Sequence, residues 1–144
     1  MAERRVSARQ REIIAARAQQ CCEYCRSLER CSTQAFSVEH VVPRQIGGET
    51  TLENLAFACQ GCNNHKHTKT EAVDPATGAI APLFHPRLQR WHDHFTWDRS
   101  STVVIGITAT GRATVEALRL NRAGLVNLQR VLQARGEHPP PEVA

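Results

Sequence analysis

Residues 36–66, FSVEHVVPRQIGGETTLENLAFACQGCNNHK, decide the fold of this 144-residue chain. Phe36 and Val38 alternate with polar neighbours, the period-two pattern of a half-buried strand over residues 36–42. Pro43 ends or edges that strand, because proline has no amide hydrogen for a sheet ladder. Gly47-Gly48 supplies a turn, and residues 52–58 return as a second strand running into Cys59. After Cys62, Asn63-Asn64-His65-Lys66 opens a short helix to about Thr70. Strand, turn, strand and helix make a ββα unit.

Two cysteine pairs bracket this unit. Cys22-Glu23-Tyr24-Cys25 and Cys59-Gln60-Gly61-Cys62 are both CxxC, a spacing that folds into a tight knuckle with converging sulfurs. Four thiolates in two knuckles make a closed tetrahedral site of the structural Zn2+ type. The interval between Cys25 and Cys59 exceeds the roughly 15–20 residues of simple zinc ribbons, which fits a ββα insertion. A redox CxxC is the competing reading, and two matched knuckles in one short chain disfavour it. Cys21 and Cys31 have no partner at ligand spacing and read as ordinary thiols.

Outside this core, residues 7–20 read as a helix capped by Ser7, with Gln10 completing a capping box. Ile14, Ala18 and Cys21 form its apolar stripe; Arg9, Arg11 and Arg17 remain for solvent or phosphate. Pro75, Gly78, Pro82 and Pro86 mark residues 71–90 as a wrapping loop, from which Arg87 and Arg90 can reach phosphate. Residues 91–97 and 102–107 read as an antiparallel strand pair across residues 98–101. The His92-x-His94 spacing suits either a metal or, more simply, the polar face of a strand. Two helices follow, over about 112–120 and 122–135. The Leu125, Leu128 and Leu132 stripe of the second is expected to pack on the strand pair, with a dimer contact as the alternative. Residues 137–141, Glu-His-Pro-Pro-Pro, cannot continue a helix and read as an extended tail. The fold class is therefore α+β: a single domain over residues 1–144, with a core at about 20–70 and an extension at about 71–144.

Composition narrows the partners. A formal charge of +4 at neutral pH, carried mostly by arginine, suits a polyanion, since the guanidinium fork donates paired hydrogen bonds to phosphate. Aromatic residues are 5% of the chain, too few for an extended base-stacking surface. No run approaches the ~18 apolar residues that span a bilayer, and the charged first twenty residues lack an export segment. The expectation is a cytoplasmic protein, where cysteines more often hold metal than form disulfides.

Cys22-x-x-Cys25, Glu39-His40, Asn54 within Leu52-Glu53-Asn54-Leu55, and Cys59-x-x-Cys62-Asn63-x-x-Lys66 together resemble the HNH endonuclease family, in its variant with four zinc-binding cysteines. The pattern covers residues 22–66. Two positions depart from its commonest form: Glu39 stands where Asp is common, and Asn63 where His is common. The resemblance implies a ββα-metal active site that hydrolyses phosphodiester bonds in DNA, double-stranded by expectation. Glu39 and Asn63 would offer oxygen ligands to one catalytic divalent cation, Mg2+ or Mn2+. His40 would be the general base that deprotonates water, and Asn54 would hold the turn and orient that base. Arg44 and Lys66 are candidate phosphate contacts. Because neighbours on a regular strand face opposite ways, Glu39 and His40 should approach the phosphate from different sides. Phe84-His85-Pro86-Arg87, Trp91 and Thr110-Gly111-Arg112 also resemble the tail of many standalone bacterial HNH proteins. Two other classes compete: a non-catalytic zinc-stapled nucleic-acid-binding module, and a thiol oxidoreductase. Oligomeric state is open.

Overall fold

The computed structural model describes residues 5–141. Ser7 caps helix α1 (Ala8–Arg17) in the expected box: its hydroxyl accepts from the Gln10 amide at 3.0 Å, and the Gln10 side chain accepts from the Ser7 amide at 2.9 Å. Gln19 and Gln20 take left-handed φ values of 55° and 62° and reverse the chain into the first knuckle, which a Cys21–Leu28 bridge closes.

Strands β1 (Ser37–His40) and β2 (Leu55–Ala58) pair antiparallel, with Ser37 opposite Ala58 and His40 opposite Leu55. Both are shorter than the alternation suggested. Residues Arg44–Ile46 and Leu52–Asn54 are single 3-10 turns, because Asn54 cross-links the connection instead of extending the ladder. Helix α2 (Gln60–Lys66) begins before Asn63, since Cys59 Sγ accepts from the Cys62 amide at 3.4 Å and serves as the cap. The α1 helix packs against β2 and α2 against β1.

The second half departs more from expectation. Residues 71–90 are not an unbroken loop: β3 (Glu71–Val73) and β4 (Ile80–Pro82) form a hairpin. Asp74 organises its turn, accepting from the Ala76 amide and the Thr77 hydroxyl at 3.0 Å each. Its two oxygens also take both prongs of Arg112 at 2.9 Å, a long-range partner that no local pattern announces. Residues 91–97 are half helix, α3 (Trp91–His94), and half strand, β5 (Phe95–Trp97). The indole Nε1 of Trp91 donates to the Tyr24 carbonyl at 2.9 Å, and this tertiary anchor overrides the strand-like alternation. His92 and His94 therefore lie on a helical turn, and His94 Nδ1 is 2.6 Å from the Thr108 hydroxyl.

Strand β5 pairs with β6 (Val104–Gly106) across the expected turn. Helix α4 (Ala109–Leu118) covers β6 and the β3–β4 hairpin and also reaches α2. Helix α5 (Ala123–Ala134) buries Leu125 and Leu132, but its hydrogen-bonded anchors run to the cysteine knuckles rather than to the strand pair. The proline-rich end is packed, not extended: the His138 ring meets Trp97 edge-on at 4.4 Å, and Glu137 pairs with Arg30 at 3.0 Å. Among the described residues, no helix is long and apolar enough to cross a membrane. The architecture is α+β, with three two-stranded antiparallel sheets among the described residues.

Candidate active site and metal centre

Four sulfurs converge where the two knuckles meet. The Sγ atoms of Cys22, Cys25, Cys59 and Cys62 all lie within 4.8 Å of one another, and Cys25 and Cys59 are 3.7 Å apart. A tetrahedral ZnS4 centre with Zn–S near 2.3 Å has S–S edges of about 3.8 Å, so the cage has the right size. The amides of Tyr24 and Cys25 donate to Cys22 Sγ, each at 3.4 Å, as they would to thiolate. Burial and the neighbouring sulfurs push the Cys22 thiol well above its ordinary value, so the ionised cluster calls for a cation. The residues fit a structural zinc. Cys21 and Cys31 stand outside the cluster.

Arg122, at the start of α5, reaches this centre from a distant part of the chain. Its Nη2 donates to Cys59 Sγ at 3.3 Å and to Cys62 Sγ at 3.7 Å. Burial lowers its affinity for a proton, but the sulfurs raise it by more, and the net shift is upward. Four thiolates around Zn2+ would carry excess negative charge, which the guanidinium would offset. The close approach explains Gly61: a Cβ there would lie 2.4 Å from Arg122 Nη2. Gln129 adds a 3.5 Å contact to the Cys25 carbonyl.

Glu39 is buried on the α2 side of β1. Its Oε2 accepts from the Tyr24 hydroxyl at 2.9 Å, and its Oε1 pairs with Lys66 Nζ at 3.1 Å. Burial raises the carboxyl above its ordinary value, while Lys66 and then Tyr24 pull it down. Tyr24 is itself pushed well up, by burial and then by the Glu39 charge, so it stays a hydrogen-bond donor. Lys66 differs from its sequence reading as a phosphate contact. It is 1% exposed, and its ammonium is spent on Glu39 and on the Val41 carbonyl at 2.9 Å. Asn63 lies one turn before Lys66 on α2 and is half-buried. Residues three apart share a helix face, so Asn63 stands on the same face of α2 as Lys66.

His40 leaves the strand in the other direction. Its Nε2 lies 2.8 Å from the Thr50 hydroxyl, and the ring is half-buried. Burial and then the charge of Arg44 hold the imidazole below its ordinary value, which favours the neutral form at neutral pH. Arg44 is exposed in the one-turn helix beyond β1. Asn54 ties the intervening loop together: Oδ1 accepts from the Val42 amide at 2.9 Å, and Nδ2 donates to the carbonyls of Val42 and Glu49 at 3.0 and 2.9 Å. A Cβ on Gly48 would sit 1.7 Å from the Val42 carbonyl oxygen, so this loop closes only with glycine there.

The sequence reading missed Tyr24, Thr50 and Arg122. Tyr24 lies inside the first CxxC, a position that places it near the metal but says nothing of Glu39. Thr50 and Arg122 carry no local signal at all, since their partners depend on how distant segments fold together.

Comparison with known proteins agrees with the geometry. Residues 22–69 match the family model described as HNH endonuclease. That segment comprises both knuckles, β1, β2 and α2, and with its four clustered cysteines it is consistent with a zinc-stabilised form. No curated protein and no solved structure matches the chain.

Proposed function

We propose that this chain is an HNH endonuclease acting as a single domain, which hydrolyses phosphodiester bonds in duplex DNA. The observation that carries this reading is the divergence at the end of β1. Glu39 turns toward α2, which bears Asn63, while His40 turns toward the Thr50 turn with an imidazole biased to its neutral form.

In this reading His40 takes the proton as water adds to phosphorus, and the bond to the leaving oxygen breaks. Thr50 fixes the ring, leaving one imidazole nitrogen for the water. Asn54 holds the loop on which Thr50 sits. Arg44 contributes positive charge beside His40, where it can stabilise the developing phosphoryl charge. The Glu39 carboxylate and Asn63 carboxamide are oxygen donors, a set that fits Mg2+ or Mn2+ better than zinc. Such an ion supplies electrostatic stabilisation of the phosphoryl and leaving oxygens when bound.

Nicking of supercoiled plasmid is the direct assay. Mg2+ or Mn2+ should permit it, EDTA should stop it, and His40→Ala should slow it by about 10²–10⁴-fold. A His40→Ala protein with unchanged zinc content that nicks at the parental rate would remove the base assignment.

One observation favours a second reading, a zinc-stapled nucleic-acid-binding module without catalysis. Both Glu39 oxygens already have partners, Tyr24 and Lys66. Tight DNA binding with full substrate recovery across a panel of divalent metals would select it.

A further inference from the structure

The connection between β1 and β2 includes residues 43–50, PRQIGGET, whose one large apolar side chain, Ile46, is 65% exposed. Scattered exposed apolar side chains are ordinary on a protein surface, and Ile80 and Leu88 are two others in this chain. Ile46 differs from them in its mounting and in its neighbours.

The mounting is fixed by backbone contacts. Pro43 is buried at the entry to the 3-10 turn Arg44–Ile46, and its carbonyl accepts from the amides of Ile46 at 3.1 Å and Gly48 at 3.0 Å. Gly47 ends the turn at a left-handed φ of 100°. Asn54 ties the carbonyls of Val42 and Glu49 together, and the Gln10 side chain of α1 donates to the Thr50 carbonyl at 3.3 Å. The loop is thus tied at both ends and within, yet the Ile46 side chain faces water. A group already held in place loses little conformational freedom when it meets a partner.

The neighbours are candidate catalytic groups. Thr50 of the same loop lies 2.8 Å from His40 Nε2. Arg44, on the same turn as Ile46, is exposed and near enough for its charge to help hold the His40 imidazole low. Arg44 and Glu49 are the only charged residues of this loop and they balance, so attraction to a polyanion does not by itself explain a contact here. Shape and apolar surface remain. The major groove of a duplex admits a helix or a β-ribbon, whereas the minor groove is only about 6 Å wide. Isoleucine is among the aliphatic side chains that enter the minor groove, part a base step and kink the duplex. One such side chain projecting from a single fixed turn suits that insertion.

We propose that Ile46 is a positioning residue that wedges between two base pairs from the minor groove, kinking the duplex and turning the adjacent phosphate toward His40. The identity of the partner rests on the nuclease reading. The consequence is a preference for easily unstacked pyrimidine–purine steps over stiff A-tracts, with no hydrogen bond to a base edge.

The test uses the full chain without added Mg2+ or Mn2+, on duplexes of roughly 20 base pairs, either rich in TA and CA steps or built on an A-tract. A donor and an acceptor dye at the two ends report bending by energy transfer. The parental protein should raise energy transfer and bind the flexible duplex several-fold more tightly than the stiff one. Ile46→Ser should lose both effects and slow plasmid nicking, while the slope of log K against log salt stays unchanged, because no phosphate contact is removed. Ile46→Leu should retain bending and preference. Ile80→Ser, the same change at a site 59% exposed, should match the parent. Melting temperature and zinc content verify folding. A parental protein that binds without bending overturns the proposal, as does an Ile46→Ser protein that bends and discriminates like the parent. A parental dimer that Ile46→Ser dissociates with bending unchanged also overturns it, by making a second copy the partner of Ile46. Nicking in a metal panel separates this from the nuclease reading. Bending by the parent with no cleavage in any metal removes the enzyme but leaves the wedge, whereas parental nicking and bending by Ile46→Ser remove the wedge but leave the enzyme.

Discussion

Replacing Lys66 by Met should strand a buried carboxylate, and the size and pH dependence of the effect follow from its surroundings. The Lys66 and Glu39 side chains are 1% and 6% exposed, so water cannot substitute for the lost ammonium. Removing one member of such a pair costs about 3–5 kcal/mol. For a chain of this size that corresponds to a melting temperature lower by ~10–15 °C. Burial already raises the Glu39 carboxyl above its ordinary value, so stability attributable to it falls as pH rises through the folded-state value. Lys66 opposes that loss. Without it the carboxyl rises further, so the deficit of the variant should be smallest near the ordinary carboxylate value and grow as pH rises above it. Urea unfolding across this range, on zinc-loaded protein without added magnesium, measures it. A deficit below about 1 kcal/mol at neutral pH, or one that does not change with pH, would refute the buried-charge argument. The same variant also tests Glu39 as a cation ligand. Mg2+ bound there would replace the missing positive charge and stabilise by about 2.7 kcal/mol at a hundredfold excess over Kd. A variant indifferent to millimolar Mg2+ argues that Glu39 holds no metal.

Two further outcomes follow from the site. Nicking should show an acidic limb with its midpoint below the ordinary histidine value of 6.5, rising with pH as His40 becomes neutral. Arg44→Gln should move that midpoint upward, and an unmoved limb would detach it from His40. Arg122→Leu removes the donor 3.3 Å from Cys59 Sγ, and loss of such an outer contact typically weakens metal binding by about 10–100-fold. A chromophoric chelator should therefore strip zinc from this variant faster than from the parent; equal release rates would make Arg122 a packing residue only.

What the sequence made legible was local. The Ser7–Gln10 box, the two knuckles, the Gly47-Gly48 turn and the alternation through Val38 each depend on residues a few positions apart, and each appears in the structure. The Asn54 clamp was legible only through family resemblance, but its three hydrogen bonds are the physical content of that pattern. The misreadings arose where a distant partner decided the outcome. Trp91 begins a helical turn because its indole seeks the Tyr24 carbonyl, and Arg112 makes a hairpin turn out of the Asp74 loop. Lys66 read as a phosphate contact because nothing near it in sequence reveals that Glu39 and Val41 enclose its ammonium. A buried ion pair leaves no periodic trace, since each member reads alone as a polar surface residue.

The same distant contacts give the second half of the chain a physical role. Arg87 of the Phe-His-Pro-Arg stretch binds Glu23, Trp91 binds the Tyr24 carbonyl, and Gln129 reaches the Cys25 carbonyl. Three successive residues of the first knuckle are thus fixed from outside, and Arg122 fixes the second knuckle through its sulfurs. Tyr24 then carries that order inward, because its hydroxyl holds Glu39 at 2.9 Å. The first cysteine knuckle and the candidate catalytic carboxylate are therefore one hydrogen bond apart. An extension that clamps the knuckle from three sides stabilises the zinc site and, through Tyr24, the geometry at Glu39.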